Sequence, residues 1–315
     1  MEDSRAPHVN DDTPYFTGLP LEVRYPLELA PVDETLREYF ISTNESLPGA
    51  IKQLNLSPQD FRDHSNEQLA AAALVWSARS WVEYNGVSES EALLIRICLE
   101  QNREIDLKYA LAARAAERAI HADHCRQVAE SLSHYCQDTN SPTLNRLYQT
   151  STIRTVLDLN EHVDGSLASY LLAIAEFDLC RWEASFNTMT IESINAIIGH
   201  CVHSKKAQLA AFWAYFEHRV DGLTADCRRM VSQSVGAAME SRNLAVSIPA
   251  LGVQPGTEPI LEAGVIAADA GLGDAAYEAQ VANSLCTFDE MQSRFDCLGI
   301  RIERPQWLLT LSHQR

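Results

Sequence analysis

Four glutamates in two evenly spaced pairs are the residues of this sequence best suited to chemistry. Glu83 and Glu117 lie 34 residues apart, and Glu183 and Glu217 repeat that spacing 100 residues further along the chain. All four fall in stretches that are predicted to be helical, and the chain as a whole is rich in alanine and leucine, a composition that favours helix. Two helix pairs that each supply carboxylates are one way in which a helical bundle builds a two-metal site.

Two histidines near Glu117 extend this candidate site. His121 and His124 follow Glu117 at i+4 and i+7, so a helix would place the three side chains in one stripe about 10 Å long. Apolar neighbours turn much of the stripe toward a core, where a divalent metal would supply the countercharge that a buried carboxylate needs. Carboxylate and imidazole ligands suit iron, manganese or zinc. The alternative is a solvated surface pair of Glu117 and His121, which the nearby Arg114 and Arg118 favour.

The second pair of glutamates has fewer candidate partners. Glu217 lies in the most aromatic run of the chain, which predicts a helix buried on most sides. Asp221, at i+4 from Glu217, would share its face and is a candidate ligand. Glu183 lies in an apolar helix, where a buried carboxylate needs a partner. The alternative for Glu183 is an ion pair, with Arg181 or Lys205 as the cation.

Glu83 is predicted to lie one turn before a helix end, because Gly86 suits the position that follows a helix. The helix macrodipole disfavours a carboxylate there, and Arg79 at i−4 would offset the cost. His200 and His203 share the predicted helix of Glu217, but 14 residues separate His203 from Glu217, about 21 Å along the axis. We therefore interpret these two histidines as polar helix residues, with a second small site or an approach to Glu176 as the alternatives.

Capping signals and helical periodicity predict an all-α chain. Helix starts are expected at Ser57, before a proline, and at the capping boxes of Ser65 and Ser88. Gly299 should end the last helix, and Pro305 should stop any further one. The predicted helices cover about 65–85, 88–134 with a break near Asn102, 143–160, 165–187, 190–220, 225–242, 259–270 and 273–298. The four long helices should pack as two sequential antiparallel pairs.

Composition limits the possible partners and compartments. The net charge of −18 makes nucleic acid an improbable partner, because a phosphate backbone would repel this surface. No apolar run is long enough to span a bilayer, and the N-terminus lacks a signal-peptide core, so we expect a cytoplasmic protein without a membrane partner. The eight cysteines form no Cys-x-x-Cys motif, which argues against a disulfide frame or a zinc-thiolate site.

The polar N-terminus and the helical remainder suggest two regions. Residues 1–20 are predicted to be a flexible arm, and residues 21–315 a single helical domain. Within that domain, residues of about 65–245 would form the bundle core, and C-terminal helices would cover about 259–298.

The order of helices and glutamates over residues 65–245 resembles the ferritin-like di-iron carboxylate enzymes. The resemblance implies a ferritin-like bundle of two helix pairs with extra terminal helices. It also implies a non-haem di-iron oxygenase or oxidase that uses O2 on a small-molecule substrate in specialised metabolism, with an electron-donor protein as partner and a homodimer as candidate assembly. Manganese is the alternative metal. The implied metal ligands are Glu83, Glu117, His121, Glu183 and Glu217, with His124 and Asp221 as further ligands or their neighbours.

The sequence departs from the family pattern at the histidines. That pattern has a histidine three residues after each second glutamate, where this chain has Ile120 and Val220. A π-bulge would bring His121 into place, whereas Asp221 or His218 would have to substitute in the second pair. The alternative function is therefore a metal-free helical bundle whose acidic surface serves protein–protein assembly. Convergence of the four glutamates within about 5 Å of a common centre would distinguish the two functions.

Overall fold

The computed structural model describes residues 56–99, 105–138, 156, 162–240 and 258–312. Every regular element within these residues is helical, which confirms the predicted all-α class. None of the described helices is both long and apolar enough to cross a membrane. The elements are a 3-10 helix (Pro58–Phe61), α1 (Asn66–Leu99), α2 (Ile105–Leu132), α3 (Val163–Leu167), a π-helix (Ala168–Ala173), α4 (Ile174–Phe186), α5 (Glu192–Val220), α6 (Ala225–Glu240), α7 (Glu258–Asp269), α8 (Tyr277–Cys297) and α9 (Gln306–Ser312).

Two predicted helix starts are confirmed and a third is wrong. Ser57 caps the 3-10 helix, and Ser65 exchanges hydrogen bonds of 2.8 and 3.2 Å with Gln68 at the start of α1. The predicted end at Gly86 and the predicted new start at Ser88 do not exist, because α1 continues to Leu99. The predicted break near Asn102 lies outside the described residues.

Gly86 lies within α1, where the absence of a side chain makes room for an arginine of α2. A Cβ atom at Gly86 would lie 3.0 Å from Cδ and 3.1 Å from Nε of Arg118. The polar residues after Gly86 hold a second arginine: Arg114 donates to Oγ of Ser90 at 2.5 Å and to Oε2 of Glu89 at 2.8 Å. The residues that look like a helix start therefore serve the contact between α1 and α2.

The long helices form two antiparallel hairpins. Oγ of Ser80 in α1 donates to the carbonyl of Ala122 in α2 at 2.8 Å, while Arg114 contacts Glu89, so residue numbers rise along one helix as they fall along the other. The second hairpin consists of α3, the π-helix and α4, which follow one another without a break, and of α5. This continuous segment packs antiparallel to α5, because Asp164 pairs with Arg219 and Glu183 pairs with Lys206. The predicted two-hairpin arrangement is confirmed.

A π-helical stretch does occur, but in the second hairpin. Residues Ala168–Ala173 are π-helical, and all six are buried. Helix α2 is α-helical from Ile105 to Leu132, so no π-bulge shifts His121.

The C-terminal boundaries agree largely with those predicted. Asp221 and Gly222 separate α5 from α6, and Gly299 follows α8 with a φ of +70°. Pro305 does not stop the chain from forming helix. Helix α9 begins immediately after Pro305, whose carbonyl accepts a hydrogen bond of 3.1 Å from the amide of Leu308. The predicted arm at 1–20 lies outside the described residues, as does the predicted helix at 143–160 apart from Val156.

The bundle interior has a charged layer between two apolar clusters. The first cluster joins the C-terminal half of α1, the N-terminal half of α2 and the later part of α5. The second joins the opposite halves of the same helices and includes Trp182 of α4. Buried charged residues lie between the clusters along each helix: Glu83 in α1, Arg118 in α2, Asp178 in α4 and Lys205 in α5.

Two helical glycines allow the fit of Arg118 against α1 to be tested. A Cβ atom at Gly236 in α6 would meet no atom within 4 Å, so Gly236→Ala should raise the free energy of unfolding by about 0.5–1 kcal/mol. Gly86→Ala gains the same propensity but pushes Arg118 away from its ion pairs, so it should lower the stability instead. Urea unfolding followed by circular dichroism measures both. Equal stabilisation by the two changes would contradict this role of Gly86.

Candidate functional site

Four charged side chains from four helices meet at the centre of the bundle, and we call them the charge cluster. Arg118 Nη1 lies 2.8 Å from Oε2 of Glu83 and 2.7 Å from Oδ2 of Asp178. Lys205 Nζ lies 2.7 Å from Oε1 of Glu83 and 2.7 Å from Oδ2 of Asp178. Each carboxylate thus contacts both cations, and the four formal charges cancel. All four residues are at most 5% exposed.

Two further side chains complete the surroundings of Glu83. Trp182 Nε1 donates to Oε1 of Glu83 at 3.2 Å, and the Trp182 ring lies 5.5 Å from Nζ of Lys205. His121 Nδ1 lies 3.5 Å from Oε2 of Glu83. Both Glu83 oxygens therefore face donors or cations, which compensates the cost of removing the carboxylate from water.

The cations keep both carboxylates ionised. Burial by itself would raise the pKa of Glu83, but Arg118 and Lys205 outweigh it and hold that pKa well below its ordinary value. The same balance lowers the pKa of Asp178, with Lys205 the stronger of the two cations. Burial lowers the pKa of His121, and the attraction of Glu83 only partly offsets it. The charge cluster therefore contains two ionised carboxylates and two cations at neutral pH, and the imidazole of His121 beside it is neutral.

A buried arginine links the charge cluster to the C-terminal helices. The guanidinium of Arg79 lies 4.8 Å from the ring centre of Trp76 and 5.0 Å from that of Trp182. It donates to Ser185 and lies 3.7 Å from Oδ1 of Asp274, which precedes α8. Burial, and next the like charge of Arg181, lowers the pKa of Arg79 to about 10.

Three histidines lie together beside the cluster. The ring centres of His121 and His200 are 5.9 Å apart, and those of His124 and His200 are 6.2 Å apart, in edge-to-face arrangements. His121 and His124 are buried, whereas His203 is exposed. The predicted stripe on α2 is thus partly buried, and His200 joins it from α5.

The other predicted ligands do not join Glu83. Glu117 accepts hydrogen bonds from Ser204 and Gln208 of α5. Glu183 is 41% exposed and pairs with Lys206 at 2.5 Å, not with Arg181 or Lys205. Glu217 is 42% exposed and pairs with Arg294 at 2.7 Å. Asp221 is exposed at the end of α5. Of the seven predicted ligands, the structure brings together Glu83 and His121, with His124 nearby.

The residues present at the bundle centre do not fit a di-iron site. Among the described residues, no group of three or more histidine, cysteine, aspartate or glutamate side chains is placed to hold a metal ion. Both oxygens of Glu83 and one oxygen of Asp178 already contact a cation. A metal would have to compete with two chain-borne positive charges for these oxygens, so the chemistry that this centre supports directly is charge neutralisation.

Sequence reasoning misses three of the four charge-cluster residues. It treats Arg118 and Lys205 only as partners for solvated or single carboxylates, and it does not single out Asp178. One signal is present for Arg118, because it precedes His121 by three residues and must share its helix face. Asp178 and Lys205 follow from no local pattern, since only the packing of α4 against α5 brings them together.

Comparison of the chain with protein-family models, with curated proteins and with solved structures found no match.

Two adjacent lysines provide a matched test of the charge cluster. Lys205→Met leaves two buried carboxylates with one cation, so we expect it to lower the free energy of unfolding by about 3–5 kcal/mol. Lys206→Met removes only the exposed pair with Glu183 and should cost less than about 1 kcal/mol. Chemical denaturation at pH 7 measures both values. Similar costs for the two variants would show that the buried contacts do not stabilise the fold.

Proposed function

We propose that this protein is a metal-independent, ferritin-like helical bundle that acts by binding another protein. The observation that carries the first half of this proposal is the charge cluster. Two cations stand at the bundle centre, in contact with the two carboxylates that metal ions would otherwise neutralise.

The spacing of the cluster residues supports the ferritin-like arrangement. Di-iron bundles use one glutamate from each of two helices and a Glu-x-x-His pair from each of the other two. Here Glu83 and Asp178 provide single carboxylates from α1 and α4. Arg118-x-x-His121 in α2 and Lys205-x-x-Gln208 in α5 have the i,i+3 spacing of the paired positions. Arginine and lysine would thus occupy the two remaining glutamate positions.

This substitution accounts for the charges without a metal. Four carboxylates at the centre of a bundle require about four positive charges to compensate them. The charges of two carboxylates and two cations sum to zero, and the contacts among these four groups replace the contacts that carboxylates would make to a metal. A bundle of this kind keeps the architecture of the enzymes while losing the open coordination positions on which oxygen chemistry depends.

An exposed apolar patch supports the binding function. Of the eight large hydrophobic residues exposed among the described parts of the chain, four lie at the end of the α1–α2 hairpin. Ile95 and Leu99 are 50% and 54% exposed, and Ile105 and Tyr109 are each 76% exposed. We call these four residues the hairpin-end patch. Clustered exposed apolar residues mark protein interaction sites more often than scattered ones do.

The charge around the hairpin-end patch favours a basic partner protein. Glu91 and Asp106 are exposed on the same two helix ends, where Lys108 is half-buried, and the chain as a whole carries a net charge of −18. A second copy of this chain would bring like charges together, whereas a partner with a basic rim would be attracted. We therefore propose an apolar docking surface with basic neighbours on another protein.

Iron loading tests the metal-independent centre. After anaerobic incubation with Fe(II) and desalting, the wild type should retain no stoichiometric iron. The double variant R118E/K205E would present Glu83, Asp178, two further glutamates and His121, so it should bind up to two irons and regain thermal stability on binding. Elemental analysis and melting curves measure these changes.

The surface double variant R62E/K206E is the control and should bind no more iron than the wild type. About two irons per wild-type chain would refute metal independence and support the di-iron oxygenase predicted from the sequence. A helical double variant that gains no iron would contradict the ferritin-like placement of the four positions.

Site-specific cross-linking tests the hairpin-end patch. A photoreactive phenylalanine analogue placed at Ile105 or at Tyr109 should cross-link the same protein in an extract of the source cells, whereas the analogue at Val265, which is also exposed, should not. The captured protein, once purified, should bind the wild type, and Tyr109→Asp should weaken binding by about tenfold or more because an aromatic contact is lost.

Val265→Asp is the matched control and should bind as the wild type does. Capture of this chain itself would replace the basic partner with a second copy. Equal effects of Tyr109→Asp and Val265→Asp would show that the partner binds elsewhere.

A further inference from the structure

An arginine-lined cavity lies at the end of the second hairpin that is farthest from the turn between α4 and α5. It is an open depression of about 500 Å³ where the end of α5, the start of α6 and the chain after α8 meet. The lining side chains include Arg228, Arg229 and Arg301, with Leu223, Ala225 and Ser232 between them. The volume lies within the range of about 300–1,000 Å³ that is typical of small-molecule sites.

The charge of this cavity is opposite to that of the chain. Three guanidinium groups line it, and none of its described lining residues is acidic, although the net charge of the chain is −18. Asp226 pairs with Arg229 at 3.2 Å on the exposed side, so it neutralises one of the three charges. Within the described residues, Arg228 and Arg301 contact no carboxylate. The local field therefore favours an anion.

One arginine is held in place by the fold and shapes the cavity. Arg228 Nη1 donates to the carbonyl of Leu298 at 3.0 Å, and Nη2 donates to the carbonyl of Val220 at 3.1 Å. Gly299 permits this approach, because a Cβ atom there would lie 2.8 Å from Nη1 of Arg228. The guanidinium is thus fixed at the carboxyl ends of α5 and α8, whose partial negative charges offset part of its own, while no carboxylate of the described chain contacts it.

The first turn of α6 adds to the positive potential. Helix α6 begins at Ala225, which lines the cavity, and runs for 16 residues to Glu240. The amino end of a helix carries partial positive charge and favours anions, and here that end adjoins the three arginines. Ser232, about two turns further along the same helix, donates its hydroxyl proton to the carbonyl of Arg301 and so ties that residue to α6 at the cavity wall.

We propose that this cavity binds a small molecule that carries a phosphate or diphosphate group. Guanidinium groups bind phosphate oxygens through paired, charge-assisted hydrogen bonds, and Arg229 and Arg301 are exposed and able to turn toward a ligand. Leu223 and Ala225 offer an apolar wall for the rest of the molecule. This site is separate from the charge cluster and from the hairpin-end patch, so its test does not depend on the function proposed for either.

Calorimetric titration with inorganic pyrophosphate at low ionic strength tests the proposal. The full chain should bind one pyrophosphate, and Arg229→Gln and Arg301→Gln should each weaken binding by roughly tenfold, because each loses a charge-assisted contact. Arg62→Gln is the matched control, since Arg62 is an exposed arginine outside the cavity with a neighbouring aspartate. Its affinity should equal that of the wild type. Arg228 is left unchanged because it also caps two helices.

Three results would overturn the proposal. The first is the absence of measurable binding by the wild type. The second is an equal loss of affinity in Arg62→Gln and in the two cavity variants, which would mean a response to net charge alone. The third is binding of citrate as tight as that of pyrophosphate, which would show that the cavity does not select phosphate. Circular dichroism melting of each variant confirms that the exposed substitutions leave the fold intact.

Discussion

A carboxylate in an apolar interior must be compensated, and the described structure is organised around that requirement. Glu83 and Asp178 lie between two apolar clusters, where water cannot solvate them. Arg118 and Lys205 provide the compensation, and each of the four residues comes from a different helix. The two hairpins therefore cannot separate without breaking the contact of Arg118 with Asp178 and that of Lys205 with Glu83. Gly86 follows from the same requirement, because its missing side chain is what lets Arg118 approach α1.

We infer that the charged layer also fixes the register of the helices. A shift of one residue moves a side chain by about 1.5 Å along a helix and 100° around it, which would break several of the four contacts at once. Apolar side chains tolerate such shifts better, because their contacts have no direction. Breaking a buried ion pair costs about 3–5 kcal/mol, a large fraction of the stability of an ordinary domain. The charged layer thus selects one packing among those that the apolar clusters alone would allow.

The sequence predicts the helices better than it predicts the site, and the reason is physical. Periodicity and capping are local, so the all-α class, the capping box of Ser65 and the end of α8 at Gly299 could be read directly. The predicted helix end at Gly86 and helix start at Ser88 were wrong, because the same residue types occur at helix ends and at tight contacts between helices. The matched spacing of Glu183 and Glu217 suggested a shared metal site, but both residues lie on exposed faces, where they pair with Lys206 and Arg294. Equal spacing along the chain does not specify which face of a helix points inward. Asp178 and Lys205 required tertiary packing to be recognised.

The choice between a metal and chain-borne cations decides what a helical bundle can do. A bound metal offers coordination positions that a substrate or O2 can occupy, and its charge can change with oxidation state. The guanidinium of Arg118 and the ammonium of Lys205 offer neither, because a chain-borne cation has no coordination position for a ligand and does not change oxidation state, and Nη1 of Arg118 and Nζ of Lys205 already contact Glu83 and Asp178. A centre of this kind contributes rigidity and a defined shape. The binding functions that we propose therefore lie on the outside of the bundle, at the apolar hairpin end and at the arginine-lined cavity of an otherwise acidic chain.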